Sequence, residues 1–251
     1  MEAYTGFAEV YDLFMDNVPY EEWSQYLISL LEEYGITSGL VLELGCGTGK
    51  MTRLLNQAGY ELIGIDRSEE MLQIAKEAEG DREDILYLLQ DMREFELYGT
   101  VRAVVSVCDS INYILEEEEL VQIFKLVNNY LDPGGIFIFD MNTLYKYREI
   151  LGENTICENR EEGSFIWENF YDDKDRINQY DLTLFVEEPD SPGLYRKYEE
   201  THFQRGYELT HIKELLQQAG MTFTAAYDAF TREPVKADSE RIYVVAQEKG
   251  K

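Results

Sequence analysis

Basic residues are scarce in this chain of 251 residues, where 22 lysines and arginines stand against 50 acids and give a net charge of −28. Such a surface repels phosphate backbones and anionic lipid headgroups, which disfavours nucleic acid and membranes as partners. Cysteine is also rare, and Cys46, Cys108 and Cys157 lie far apart in the sequence. No pair of them has the spacing of a zinc site, so we expect no bound metal.

Long apolar runs are absent as well. No stretch approaches the ~20 apolar residues that a membrane-spanning helix needs. The first residues, MEAYTGFAEVYD, lack the basic and apolar regions of a signal peptide. We therefore expect a cytoplasmic protein with reduced thiols, which acts on a small molecule as a monomer or a homodimer.

Short apolar runs alternate with helical patterns through the first 150 residues. The strand-like runs are 40–44, 61–66, 85–91, 101–109 and 135–142. The helical patterns lie near 48–58, 68–79 and 116–131. A helix at 208–219 and strands at 222–230 and 240–248 follow later in the chain. This alternation predicts an α/β fold with a seven-stranded, doubly wound, mostly parallel sheet.

The periodicity changes between residues 155 and 206, where no helical pattern occurs. Three strand-like stretches, SFIWENFY, INQYDLTLFVEE and LYRKYEETHFQR, are separated by turn-forming segments. They predict an inserted antiparallel β meander. We place this insertion at 151–206, the α/β domain at 37–150 and 207–251, and a helical cap at 1–36.

The segment VLELGCGTGK places three glycines directly after an apolar strand. A triphosphate-binding P-loop would need a glycine where Leu44 stands and a hydroxyl residue where Met51 stands. A dinucleotide-binding turn favours a small residue at the position of Lys50. The spacing acid-x-G-x-G-x-G fits instead, and it leaves bare backbone against a ligand.

This spacing, which begins at Glu43, resembles the first motif of the class I S-adenosylmethionine-dependent methyltransferases. In that family the glycine turn passes beneath the methionyl part of the cofactor, and the acid helps to hold its amino end. The resemblance implies that the cofactor S-adenosylmethionine contacts Glu43, Gly45, Cys46, Gly47 and Gly49.

Two later acids have positions similar to those of the same family. Asp66 ends the second strand, where a carboxylate accepts from both ribose hydroxyls, and Arg67 stands beside it. Asp91 and Met92 follow the third strand and resemble the family's adenine-binding pair. The resemblance also assigns cofactor contacts to three more residues, Tyr11, Met71 and Cys108.

Other interpretations of these residues stay open from the sequence. A nicotinamide-dependent oxidoreductase would share the glycines and Asp66, although it would leave the Asp91 pair and the insertion unexplained. A non-catalytic cofactor-binding protein is a further alternative, because the chain has few side chains that could serve as a base.

The best candidate for a catalytic base is His202. Strand alternation in KYEETHFQR places Tyr198, Glu200 and His202 on one face, which would have to meet the pocket. Most histidines on strands are hydrogen-bonded structural residues, so the alternative is a purely structural role. Family members that methylate amino groups carry similar insertions, and this implies a small-molecule acceptor, with amines among the candidates.

Overall fold

The computed structural model describes residues 18–80, 84–160, 163–188 and 191–251. Its helices are α1 (Tyr20–Glu33), α2 (Lys50–Gln57), α3 (Glu69–Glu79), α4 (Glu117–Tyr130) and α5 (Leu209–Gln218). The strands of the α/β part are β1 (Gly39–Leu44), β2 (Tyr60–Asp66), β3 (Ile85–Leu89), β4 (Val101–Ser106), β5 (Leu131–Asn142), β10 (Thr222–Asp228) and β11 (Arg241–Gln247). In these described ranges, every helix is too short or too polar to cross a bilayer.

The seven strands form one sheet in the order β10-β11-β5-β4-β1-β2-β3. The five strands from β3 to β5 pair in parallel, and β11 runs antiparallel to both of its neighbours. The predicted fold class is confirmed. Because the order reverses between β1 and β4, their carboxyl ends form the switch point at which open α/β sheets bind ligands.

Helices cover both faces of this sheet and bury its apolar side chains. On one face, Phe124 of α4 packs against Phe137 and Phe139 of β5, with ring centroids 6.0 and 5.6 Å apart. On the other face, Leu27 of α1 and Leu55 of α2 are fully buried in a second core cluster. The sheet is therefore rigid beneath the switch point, which fixes the ends of its strands.

A second, antiparallel sheet follows β5. It consists of β6 (Thr155–Asn159), β7 (Gly163–Asp172), β8 (Ile177–Glu187) and β9 (Tyr195–Arg205), in that order. The meander was predicted with three strands, and the fourth, β6, was missed. Its residues are largely exposed at the sheet edge, so no alternation of buried and exposed positions marks this strand in the sequence. A short helix at Lys146–Leu151 was also missed, because six residues are too few to show a period.

One buried side chain joins both ends of this second sheet to the α/β part. The Asn112 Nδ2 donates to the carbonyl oxygens of Asn142, at the end of β5, and of Arg205, at the end of β9, at 3.1 and 2.9 Å. Its Oδ1 accepts from the backbone N–H of Asn142 at 2.9 Å. The chain thus leaves and re-enters the α/β part at a single point.

Candidate functional site

An open cleft of about 1090 Å³ lies at the carboxyl ends of β1 to β4. It brings together ten of the residues that the sequence predicts to hold the cofactor: Glu43, Gly45, Cys46, Gly47, Asp66, Arg67, Met71, Asp91, Met92 and Cys108. Gly49 belongs to the same turn and packs against Tyr87 rather than lining the cleft, and Tyr11 lies outside the described residues. The cofactor roles of all twelve stay predictions, but ten of them share one cleft.

The glycine turn forms the floor of this cleft. Gly45, Gly47 and Gly49 have φ values of +70, +52 and +71°, which side chains rarely adopt. A Cβ on Gly45 would lie 2.8 Å from Ser110 Oγ, and one on Gly49 would lie 2.5 Å from Tyr87 Oη. A Cβ on Gly47 would meet nothing within 4 Å. The turn therefore packs tightly on its protein side and exposes bare backbone at Gly47.

Glu43 is buried beside this turn. Its Oε2 accepts a hydrogen bond from Thr52 Oγ1 at 2.5 Å. Burial raises the pKa of Glu43 to about 8, and the negative charge of Asp66 acts in the same direction. A cationic group in the cleft would favour the ionised form, so this carboxyl is suited to an ammonium ligand.

Asp66 fixes the turn from the end of β2. Its Oδ2 accepts from the backbone N–H of Gly47 at 2.8 Å, and its Oδ1 accepts from that of Ser68 at 2.9 Å. Burial raises the pKa of Asp66, and these two backbone donors partly offset the effect. Each carboxylate oxygen keeps a second lone pair for a ligand hydroxyl.

Asp91 is held by a side chain instead. Arg93 binds it through two contacts, Nε to Oδ1 at 3.0 Å and Nη2 to Oδ2 at 2.6 Å. Burial alone would raise the pKa of Asp91, but the hydrogen bonds and charge of Arg93 lower it below its usual value. Arg93 also binds Glu119 at the start of α4. Asp91 therefore stays ionised at the edge of the cleft.

The other end of the cleft begins with a strained turn after β4. Cys108 and Asp109 both have positive φ, +59 and +53°. Arg241 of β11 holds this turn, because its Nη2 lies 2.7 Å from Asp109 Oδ1 and its Nη1 lies 2.5 Å from Asp140 Oδ2. Burial also raises the pKa of the Cys108 thiol well above its usual value. Cys108 is therefore a neutral wall residue.

The insertion meets this end of the cleft at Tyr113, which lies in the turn after β4 and lines the cleft. The Tyr113 hydroxyl lies 2.5 Å from that of Tyr180 on β8. His202 is 2 % exposed and lies behind these rings, stacked on Tyr180 with centroids 4.7 Å apart. The alternation predicted for β9 agrees with its burial, because Thr201 and Phe203 are exposed. The catalytic role of His202 stays a prediction.

Several residues of the cleft were missed by sequence reasoning. They include Tyr20, Lys50, Gln90, Arg93, Ser110 and Ile114. Arg93 had a weak local signal, since it stands two residues after Asp91. Tyr20 and Tyr113 reach the cleft through tertiary packing, which no motif records.

The arrangement fits S-adenosylmethionine. Bare backbone at Gly47 lies between the carboxyls of Glu43 and Asp66, which suits a ligand with an ammonium and ribose hydroxyls. Met71 and Met92 supply apolar surface for a ring near Asp91. The lining thus supplies the carboxyl groups, bare backbone and apolar side chains that this cofactor requires.

Comparison with known proteins gives a consistent result. Residues 41–135 match the family model described as a methyltransferase domain. A putative methyltransferase, YqeM, from Bacillus subtilis (strain 168) is 35 % identical over 97 % of this chain and 96 % of its own.

Solved structures show the same fold over nearly the whole chain. An S-adenosylmethionine-dependent methyltransferase from Clostridium acetobutylicum ATCC 824 is 28 % identical with a TM-score of 0.87, over 99 % of this chain and 100 % of its own. An S-adenosylmethionine-bound amino pentose methyltransferase from Micromonospora echinaspora is 15 % identical with a TM-score of 0.75, over 99 % of both chains.

Proposed function

The chain belongs to the class I S-adenosylmethionine-dependent methyltransferases, and from this premise we propose that it methylates an amino group of a small molecule. The observation that carries the proposal is the cleft, in which bare backbone at Gly47 lies between two carboxyls and leads to a second, aromatic end. The end with the two carboxyls suits the cofactor, and the aromatic end suits an acceptor.

The chain's own residues would hold the cofactor by charge and shape. Glu43 would face its ammonium, Asp66 its ribose hydroxyls, and Asp91 with Met92 its adenine. When bound, S-adenosylmethionine supplies the methyl group from a sulfonium, and the protein mainly orients the donor and the acceptor.

The walls of the cleft support a small acceptor. The cleft is open to solvent at the carboxyl ends of the strands, and its lining combines carboxyl groups, bare backbone and apolar side chains, as small-molecule sites do. The acceptor end is bounded by Cys108, Ser110 and Tyr113, beneath the second sheet.

The charge of the protein supports an amine. A net charge of −28 attracts cations to the surface and repels phosphorylated or nucleic-acid acceptors. Similarity of fold to an amino pentose methyltransferase is consistent with an amino acceptor, as an analogy at the level of the fold. The predictions of a homodimer or monomer and of a cytoplasmic location remain part of the same hypothesis.

The nicotinamide-dependent alternative loses its support, because a methyltransferase relative spans 97 % of the chain. Calorimetry compares S-adenosylhomocysteine with NADH, and we expect heat only from the first. The variant Asp66→Asn should bind S-adenosylhomocysteine about 100-fold more weakly. Its matched control is Asp238→Asn, which removes the same charge at an exposed site and should bind as the wild type does.

The acceptor is tested with a panel of amino sugars, amino acids and polyamines. We expect formation of S-adenosylhomocysteine with at least one of them, and a product that is heavier by one methyl group on nitrogen. Tight binding of S-adenosylhomocysteine with no turnover on any amine would contradict the proposal and favour the non-catalytic cofactor-binding protein.

A further inference from the structure

A chain of polar side chains leads from the acceptor end of the cleft into the second sheet. Glu200 Oε2 lies 2.9 Å from Nε2 of His202, and Nδ1 of the same ring lies 3.5 Å from the Tyr113 hydroxyl. Tyr113 lines the cleft. We propose that Tyr113, His202 and Glu200 form a relay that removes the proton of a protonated amine acceptor, which rests on the function proposed above.

The relay has a defined direction because Glu200 fixes the histidine tautomer. A carboxylate only accepts hydrogen bonds, so the proton of neutral His202 stays on Nε2. The lone pair of Nδ1 then faces Tyr113. The His202 and Glu200 side chains are only 1 % and 9 % exposed, so water competes little for these contacts.

Tyr180 holds the two rings in place. Its ring stacks on His202 at an interplanar angle of 13°, and its hydroxyl lies 2.5 Å from that of Tyr113. Among the described residues, the titratable side chains in contact with His202 include Tyr113 from the turn after β4, Tyr180 from β8 and Glu200 from β9 itself. The 3.5 Å contact is long for a hydrogen bond, and catalytic contacts of this kind shorten when substrate binds.

The step balances in protons and electrons. The ammonium of the acceptor gives its N–H proton to the Tyr113 oxygen, while the Tyr113 proton passes to Nδ1 of His202. The nitrogen lone pair then forms the new C–N bond, the C–S bond breaks, and its electron pair leaves with the sulfur as a neutral thioether. His202 is left as an imidazolium beside the Glu200 carboxylate, and it returns the proton through Tyr113 to the open cleft after turnover.

In this scheme Tyr113 is the catalytic residue, and His202 and Glu200 act through it. Proton transfer by a placed side chain contributes about 10²–10⁴-fold, so we expect Tyr113→Phe and His202→Gln to lower kcat at least about 100-fold at neutral pH. Raising the pH should restore much of the rate, because the free amine then enters without its proton. A structural role would not produce this recovery.

The experiment measures kcat and KM from pH 6 to pH 10 for an amine that the wild type methylates, with S-adenosylhomocysteine affinity as the check on folding. Tyr171→Phe is the matched control, since it removes a buried hydroxyl of the same insertion. It should behave as the wild type does. Unchanged kcat in Tyr113→Phe, or an equal loss at every pH, would overturn the relay and leave the methyltransferase proposal intact.

A measurement that needs no turnover tests the relay separately. The chain has two histidines, so ¹⁵N-histidine labelling gives two rings, and His211→Gln assigns them. We expect neutral His202 to carry its proton on Nε2, and Tyr113→Phe to shift the Nδ1 resonance. A proton on Nδ1 in the wild type would overturn the relay. Failure to methylate any amine would count against the proposed function alone.

Discussion

The two ends of the cleft are built by different means. At the cofactor end, the backbone makes the site, because the Gly47 N–H binds Asp66 and the bare turn forms the floor. At the acceptor end, side chains from distant strands make it: Arg241 holds the turn at Asp109, and Tyr113 meets Tyr180 of the second sheet. The cofactor end thus depends on local backbone geometry, and the acceptor end depends on long-range contacts between side chains.

This difference predicts how a substitution at each end affects ligand affinity and stability. A change at the cofactor end should act mainly on ligand affinity, with a smaller loss of stability than at the acceptor end. A change at the acceptor end should lower the stability of the fold and also weaken acceptor binding, because the same contacts join the second sheet to the α/β part.

The largest effect is expected from Arg241→Met. It leaves the buried carboxylate of Asp140 and the half-buried one of Asp109 without their cation, and breaking a buried pair in this way costs about 3–5 kcal/mol. Urea denaturation measures the loss. The exposed pair of Arg232 and Glu33 gives the matched control Arg232→Met, which should cost about 1 kcal/mol or less. Equal losses in the two variants would remove the proposed difference between the ends.

The next effect concerns Asp66→Asn at the cofactor end. The amide loses the charge and one acceptor oxygen, and hydrogen bonds to charged groups contribute about 1.5–3 kcal/mol each. We expect S-adenosylhomocysteine to bind about 100-fold more weakly by calorimetry. The acceptor end should keep its structure, which the His202 resonances report. A change in those resonances as large as that in Tyr113→Phe would show that the ends are not independent.

A smaller effect is expected from Gly47→Ala. The new methyl group enters the open floor of the cleft, and we expect cofactor affinity about 10-fold weaker, or about 1.4 kcal/mol. Gly35→Ala is a close control, because its φ is +76° and its added Cβ also meets nothing within 4 Å. Both variants should lose about 1–2 kcal/mol of stability from backbone strain. Equal cofactor affinity in the two would mean that the turn does not touch the ligand.

The smallest effect is a dependence on pH. Burial raises the pKa of Glu43 to about 8, whereas the unfolded chain releases this proton near pH 4.3. The folded state holds the extra proton, so this contribution to stability is complete below about pH 4.3 and is lost as the pH rises through 8.

Between pH 7 and pH 8 the loss is about 1 kcal/mol, measured by urea denaturation. Glu43→Gln should remove this contribution to the dependence of stability on pH, since an amide does not titrate. Calorimetry in buffers of different ionisation enthalpy should also show release of a proton as S-adenosylhomocysteine binds at pH 7. Binding without proton release would place the ammonium away from Glu43.

The same contrast explains what the sequence could predict. The sheet, the glycine turn and the strand-end acids follow from local patterns, because glycine spacing and strand alternation act on neighbouring residues. Arg241 and Asp109 lie on different elements, and their pairing depends on strand order that no short motif records. The exposed edge strand β6 carried no alternation, and the role of Tyr113 depends on β8 folding over it.

The position of Asn112 suggests how an enzyme of this kind could exchange one acceptor for another. Its amide holds both the point where the chain leaves β5 and the point where it returns after β9. Everything between these points is therefore a cassette whose two ends meet at one asparagine, with further contacts such as that of Tyr113 with Tyr180 along its length. Replacing this cassette with a different one at the same asparagine would alter which acceptor is methylated and leave the cofactor end of the cleft unchanged.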